Sequence, residues 1–151
     1  MKNYILISPW SRMLRDKSYN PKNFPHWEKV IDDLKDDYDI IQIGVTGEKK
    51  LVPDFRVNLK LKQIGELLSN EQCYTWISVD NFLPHLAWHY DKPGIVLWGL
   101  SDPNIFGYQK NKNLLKARKY LRENQFMIWD GLTYDPKVFV TADKVIEAVR
   151  G

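Results

Sequence analysis

Ser8, Trp10, Ser11 and Arg12 follow directly on the apolar run Tyr4-Ile5-Leu6-Ile7, and Lys22 stands further on, just ahead of an amphipathic stretch. Hydroxyls, cations and the backbone N–H groups of a helix start are what a diphosphate requires, because its charge must be met as it leaves water. Three more polar groups have the same placement behind an apolar run. Thr46, Gly47 and Glu48 follow Asp39 to Val45; Asp80, Asn81 and His85 follow Cys73 to Val79; Gly99, Ser101 and Asp102 follow Gly94 to Trp98. Glu48 is a carboxylate of the kind that accepts the hydroxyl protons of a ribose, and Trp10 offers a ring on which a base can stack. Asp80 and His85 are the side chains capable of general-base work.

Other chemistries find little support. Neither the Gly-x-Gly-x-x-Gly fingerprint nor a Walker sequence is present, which removes the ordinary dehydrogenase and ATPase readings. Cys73 is the only cysteine, so no internal disulfide can form, and no His and carboxylate spacing has the form of a structural zinc site. No metal and no cofactor are expected.

The elements that must position these groups alternate along the chain. Tyr4 to Ile7 reads as a short buried strand closed by Ser8-Pro9. After a long polar loop, Trp27, Val30, Ile31 and Leu34 fall at helical spacing, and with Pro25 in the first turn they predict a helix at about 25 to 37. Asp39 to Val45 has the β-branched density of an interior strand, and Leu61, Ile64, Leu67 and Leu68 form the next helical stripe. Cys73 to Val79 is a third strand, Leu83, Leu86 and Ala87 a short helix, and Gly94 to Trp98 a fourth strand. Leu114 to Asn124 fits either a basic helix or an extended segment. Val138-Phe139-Val140 reads as a short strand, after which Thr141 caps a helix carrying Val145, Ile146 and Val149. Such alternation builds one α/β domain over residues 1–151, a parallel sheet with helices on both faces, and ligands of such a sheet gather beyond the carboxyl ends of the strands.

Composition agrees with one globular domain, at 151 residues and 44% hydrophobic. The 22 basic and 19 acidic residues nearly balance, so charge gives no nucleic-acid footprint. Lys110, Lys112, Lys116, Arg118, Lys119 and Arg122 form a basic stretch that reads as a solvated face, with no RNA-binding aromatic motif beside it. The apolar run at the N-terminus is too short for a signal-peptide core or a membrane span, which points to the cytoplasm and away from membranes. Trp27, Trp76 and Trp98 sit at periodic or strand positions and read as core, leaving Trp10 as the candidate stacking ring.

The segments Asn20-Pro21-Lys22-Asn23-Phe24-Pro25-His26-Trp27, Ile43-Gly44-Val45-Thr46-Gly47-Glu48, Val79-Asp80-Asn81-Phe82-Leu83-Pro84-His85-Leu86-Ala87 and Lys92-Pro93-Gly94-Ile95-Val96-Leu97-Trp98-Gly99-Leu100-Ser101-Asp102-Pro103 occur in an order and spacing that resembles glycosyltransferase family 9, the ADP-heptose:lipopolysaccharide heptosyltransferases. The resemblance implies a Rossmann-like domain corresponding to the C-terminal, donor-binding half of a GT-B enzyme. By the same resemblance Lys22 matches the phosphate-facing lysine and Glu48 the acidic position near the nucleoside. Asp80 and His85 match the ends of the family's Asp-(Ser/Thr)-Gly-x-x-His motif. Asn81 and Phe82 depart from it, standing where the family has Ser or Thr and Gly.

The family's other half, which carries the acceptor site and the catalytic carboxylate, has no counterpart in these residues. The resemblance therefore implies a domain that binds a nucleotide or nucleotide-sugar, ADP-type by preference, and whose open site is covered by a second copy or a partner subunit. The alternative is a non-catalytic protein that sequesters or senses a nucleotide signal such as an ADP-ribose derivative.

Overall fold

The computed structural model describes residues 2–129 and 132–151. In chain order the elements are β1 (Tyr4–Ser8), α1 (Trp27–Leu34), β2 (Asp39–Gly44), β3 (Phe55–Val57), α2 (Leu61–Ser69), β4 (Cys73–Val79), α3 (Leu83–His89), β5 (Ile95–Trp98), α4 (Pro103–Phe106), β6 (Lys112–Leu115) and α5 (Ala142–Arg150), with 3-10 turns at Arg118–Tyr120 and Pro136–Val138. All six strands are parallel, in the order β3-β2-β1-β4-β5-β6. Strand order reverses at β1. The chain first builds outward to β2 and β3, then returns past β1 to β4, β5 and β6, which is the doubly wound arrangement with its switch between β1 and β4.

Successive residues of a strand face opposite sides, and the apolar runs fill both. Ile5, Ile7, Ile77, Val79, Ile95 and Leu97 pack with Trp27, Val30, Leu34, Val145 and Val149 under α1 and α5. Leu6, Ile41, Ile43, Trp76, Val96 and Trp98 pack with Ile64, Leu68, Leu83 and Ala87 under α2 and α3. Two of the buried Trp satisfy their indole N–H, Trp76 on Lys92 O at 2.8 Å and Trp98 on Asn113 Oδ1 at 2.9 Å, whereas Trp27 Nε1 has no hydrogen-bond partner among the described residues.

Several elements differ from the sequence reading. Val138 to Val140 is not a strand. Asp135 accepts a hydrogen bond from the Lys137 N–H and Pro136 starts a 3-10 turn, while Val138 and Phe139 still enter the core beside α1 and α5. The open segment from Leu114 resolves as the end of β6 followed by a 3-10 turn, with no α-helix. α1 starts at Trp27 rather than at Pro25. β3 and α4 went unread because three and four residues carry too little periodicity. β3 is an edge strand bearing Arg56, whose guanidinium makes two bonds of 2.9 and 3.0 Å to Asp54, a charged edge of the kind that discourages further pairing.

Candidate functional site

The site begins with the long loop between β1 and α1, whose shape two buried asparagines fix. Asn20 Nδ2 donates to Arg12 O at 2.7 Å and its Oδ1 accepts from the Lys22 N–H at 2.9 Å. Asn23 Oδ1 accepts from the Ser11 N–H at 2.7 Å, and Asn23 O accepts from the Tyr134 hydroxyl at 2.7 Å. These bonds fold the polar loop back across the carboxyl end of β1. Lys22 is thereby delivered to the end of β4, where its Nζ lies 3.1 Å from Asp80 Oδ2.

The β2 side is held in the same way. Gln42 is fully buried and uses its amide on Lys49 O and the Leu51 N–H, at 2.9 and 2.7 Å. Glu48 bends back so that its Oε1 accepts from the Val45 N–H at 2.8 Å, around a turn in which Gly47 takes φ +94. Burial pushes the Glu48 carboxyl above the ordinary carboxylate value, and the Val45 bond offsets part of this. Thr46 exchanges two hydrogen bonds with Asn58, the shorter of 2.7 Å to the threonine hydroxyl.

A cavity of about 1010 Å³ opens between these loops at the switch between β1 and β4. Ser8, Trp10, Ser11, Arg12, Lys22, Thr46, Glu48, Asp80 and Asn81 all line it, together with Phe82, Asn58 and Leu59. His85 and Ser101 do not. They line a neighbouring cavity of about 400 Å³ that is also lined by Lys22, Asp80, Arg122, Gln125, Phe126, Met127 and Trp129. The Lys22–Asp80 pair therefore stands where the two cavities meet.

Contacts inside the site sort the residues by what they have left to offer. Asn81 is a frame residue: its Nδ2 donates to Ser8 O at 3.1 Å and Ser8 Oγ at 3.0 Å, and its Oδ1 accepts from the Leu83 N–H. The N–H that could have met a phosphate is thus already used. Ser11 donates its hydroxyl to Asp80 O at 2.9 Å, and Trp10 donates its indole N–H to Lys49 O at 2.9 Å. His85 Nδ1 is 2.7 Å from the Tyr108 hydroxyl while Asp80 pairs with Lys22, so the sequence pair Asp80 and His85 is split between separate partners. Arg12, Lys22 and Lys49 are the cations lining the larger cavity, with Glu48 and Asp80 its carboxylates.

The basic stretch is a solvated face for five of its six residues, Lys110, Lys112, Lys116, Arg118 and Lys119 being exposed, and several of them also have partners. Lys110 pairs with Asp91, Lys112 and Lys116 donate to Ala148 O and Lys137 O, and Arg118 grips Asp102 with bonds of 3.1 and 2.7 Å. That grip holds the Asp102 carboxyl below its ordinary value. Arg122 goes further and enters the site, its guanidinium carbon 3.7 Å from the centre of the Trp129 ring. No sequence signal marks Arg122, since it lies well past the last strand and among other basic residues. Among the described residues no group of His, Cys, Asp and Glu has the arrangement of a metal site, and no helix is long and apolar enough to cross a membrane.

No model of a protein family matches the chain, and neither does any curated protein. Solved structures do match in fold. The ADP-heptose lipopolysaccharide heptosyltransferase II of E. coli superposes with a TM-score of 0.70 at 17% identity, over 99% of this chain and 46% of that one. A family 9 glycosyltransferase of Veillonella parvula gives 0.66 at 14% identity, over 98% and 45%. The E. coli heptosyltransferase WaaC, solved with ADP, gives 0.66 at 19% identity, over 99% and 44%. This chain spans less than half the length of those proteins. Its fold is that of one half of a GT-B glycosyltransferase.

Proposed function

We propose that the chain binds a nucleotide or nucleoside-diphosphate sugar, ADP-type by preference, in the crevice at the carboxyl ends of β1, β2 and β4. The observation that carries this reading is convergence. Polar and charged residues from three separate loops, those after β1, β2 and β4, line one cavity at the strand-order switch, with Lys22 where it meets the smaller cavity. In this reading Lys22 and Arg12 meet the phosphates, Glu48 accepts the ribose hydroxyls and Trp10 flanks the base. Ser8, Ser11 and Asn81 act by holding the loop in place. The fold likeness to a heptosyltransferase solved with ADP supports the choice of base without reaching the sugar.

Whether the domain takes part in transfer or only holds its ligand turns on the base. Asp80 is engaged with Lys22 and His85 with Tyr108, and Phe82 occupies the place of the family's close-approach glycine. These contacts favour a second reading, a protein that sequesters or senses a nucleotide such as an ADP-ribose derivative. Isothermal titration and native mass spectrometry against ADP, UDP, ADP-ribose, ADP-heptose and UDP-sugars, with chromatography of what is recovered, separates them. Tight binding with ligand returned intact supports sequestration, release of free nucleotide in the presence of acceptor supports transfer, and absence of binding to every compound overturns both.

A further inference from the structure

The segment after β6 leaves one cation in an unusual state. Arg122 donates from Nη2 to Gln125 O at 3.0 Å and, over a longer 3.4 Å, from Nη1 to Ile128 O. Its Nε is buried and has no hydrogen-bond partner. Among the described residues no carboxylate forms an ion pair with it. The nearest acidic influence is Asp80, which is already bound to Lys22 at 3.1 Å. Lys22 also approaches the Trp129 ring, at 5.1 Å from its centre, so two cations lie against one indole beside a single carboxylate. Counted over the described residues, the cluster holds two cations and one carboxylate.

Arg122 is held there firmly. Its backbone N–H donates to Leu100 O at 3.1 Å. Gln125 Nε2 donates to Leu100 O and Arg122 O at 3.0 and 2.7 Å, and Gln125 Oε1 accepts from the Asp102 N–H at 2.8 Å. The Arg118–Asp102 pair adds a further tie to the same loop after β5. A guanidinium that is preorganised, partly dehydrated and, among the described residues, without an acceptor at Nε suits an oxyanion, because its planar fork can give two parallel bonds to a phosphate.

We infer that Arg122 is a second anion-binding residue and that it takes the distal phosphate of a nucleoside diphosphate. The inference rests on the functional reading above for the nucleoside, but the order of the phosphates comes from the cavities. Glu48 and Trp10 line only the larger cavity, Lys22 lines both, and Arg122 lines only the smaller. A ligand with its ribose at Glu48 therefore meets Lys22 first and Arg122 second. Whatever is esterified to the distal phosphate lies in the smaller cavity, beside Ser101 and His85.

The test is titration of the full chain with ADP, AMP and inorganic pyrophosphate, using the wild type, Arg122→Gln and Arg122→Lys, with thermal melting to verify folding. Wild type is expected to bind ADP at least tenfold more tightly than AMP. Arg122→Gln is expected to lose roughly ten- to hundredfold in affinity for ADP and pyrophosphate while AMP changes by less than about threefold. Should that variant unfold, Arg122→Lys, which keeps the charge but loses the fork, is expected to weaken ADP and pyrophosphate but not AMP, and unchanged ADP affinity there overturns the inference. Equal losses for ADP and AMP, or equal binding of both by wild type, also overturn it. If no nucleotide binds but pyrophosphate does and depends on Arg122, the anion site stands and the nucleotide reading falls. Pyrophosphate binding that is absent, or indifferent to Arg122, overturns the anion site itself.

Discussion

Lys22 and Asp80 constrain each other, and each residue's role can be read by removing its partner. Lys22→Ala removes a charge-assisted hydrogen bond to phosphate and is expected to weaken ADP binding by about 1.5–3 kcal/mol, measured by titration; unchanged affinity would take Lys22 out of the site. Glu48 makes a pH-dependent prediction. Its carboxyl titrates above the ordinary value of 4.5 because burial opposes ionisation. Only the ionised form can accept both ribose hydroxyls. Affinity for ADP is therefore expected to rise with pH through a window above 4.5 and to level off once the carboxyl is ionised, and Glu48→Gln should remove this rise. The sign for stability is opposite: a carboxyl raised in the folded state contributes stability that is present at low pH and is lost as pH climbs through the folded value. A titration in which affinity falls as pH rises would contradict the assigned role.

At the scale of elements, the switch between β1 and β4 depends on how closely β4 and β5 can be backed by their helices and loops. Gly94 opens β5, and a Cβ there would be driven into the Trp76 indole, a ring that is fully buried and already fixed by its bond to Lys92 O. The ring is rigid and has no space into which to move. Gly94→Ala is therefore expected to destabilise the fold by about 1–3 kcal/mol through overpacking, seen as a lower denaturant midpoint with an unchanged slope. A neutral effect would mean that β5 can shift away from β4, and the site geometry would then be looser than described. The loop after β1 is stabilised by different means. Asn20, Asn23 and Asn81 satisfy its backbone from within, which is why a stretch that carries almost no apolar periodicity still has a defined course.

For the molecule as a whole, the cavities lie on one rim of the sheet and open toward solvent. Phe126, Met127 and Ile128 stand largely exposed on that rim, and the first two line the smaller cavity. Exposed apolar side chains around a polar site mark a surface that another surface covers. A second copy or a partner subunit is the occupant proposed for it. Light scattering of the ADP-loaded protein is expected to show at least twice the monomer mass, and Phe126→Ser with Ile128→Ser is expected to return it to the monomer. A monomer whose bound nucleotide is nonetheless shielded from quencher would rule this out.

The α/β class, the four interior strands and the helices α1, α2, α3 and α5 were legible from residue order, because an apolar run of strand length and a helical stripe each state locally which face must be buried. Nine of the eleven candidate residues line the larger cavity, since most follow closely on a strand and a parallel sheet brings such segments to one rim, while His85 and Ser101 line its neighbour. What only the tertiary structure decided lies where the partner is distant in sequence. Val138 and Phe139 are apolar enough for a strand, yet they join no strand of the sheet and fill the core from a 3-10 turn and the residue after it. Asn81 carries the chemistry of a ligand contact but spends it on Ser8, and Arg122 resembles a solvated surface charge until Gln125 and Leu100 fold it onto Trp129. Hydrogen bonds across such separations depend on which backbone groups the fold leaves unpaired, and no local pattern of residues encodes that.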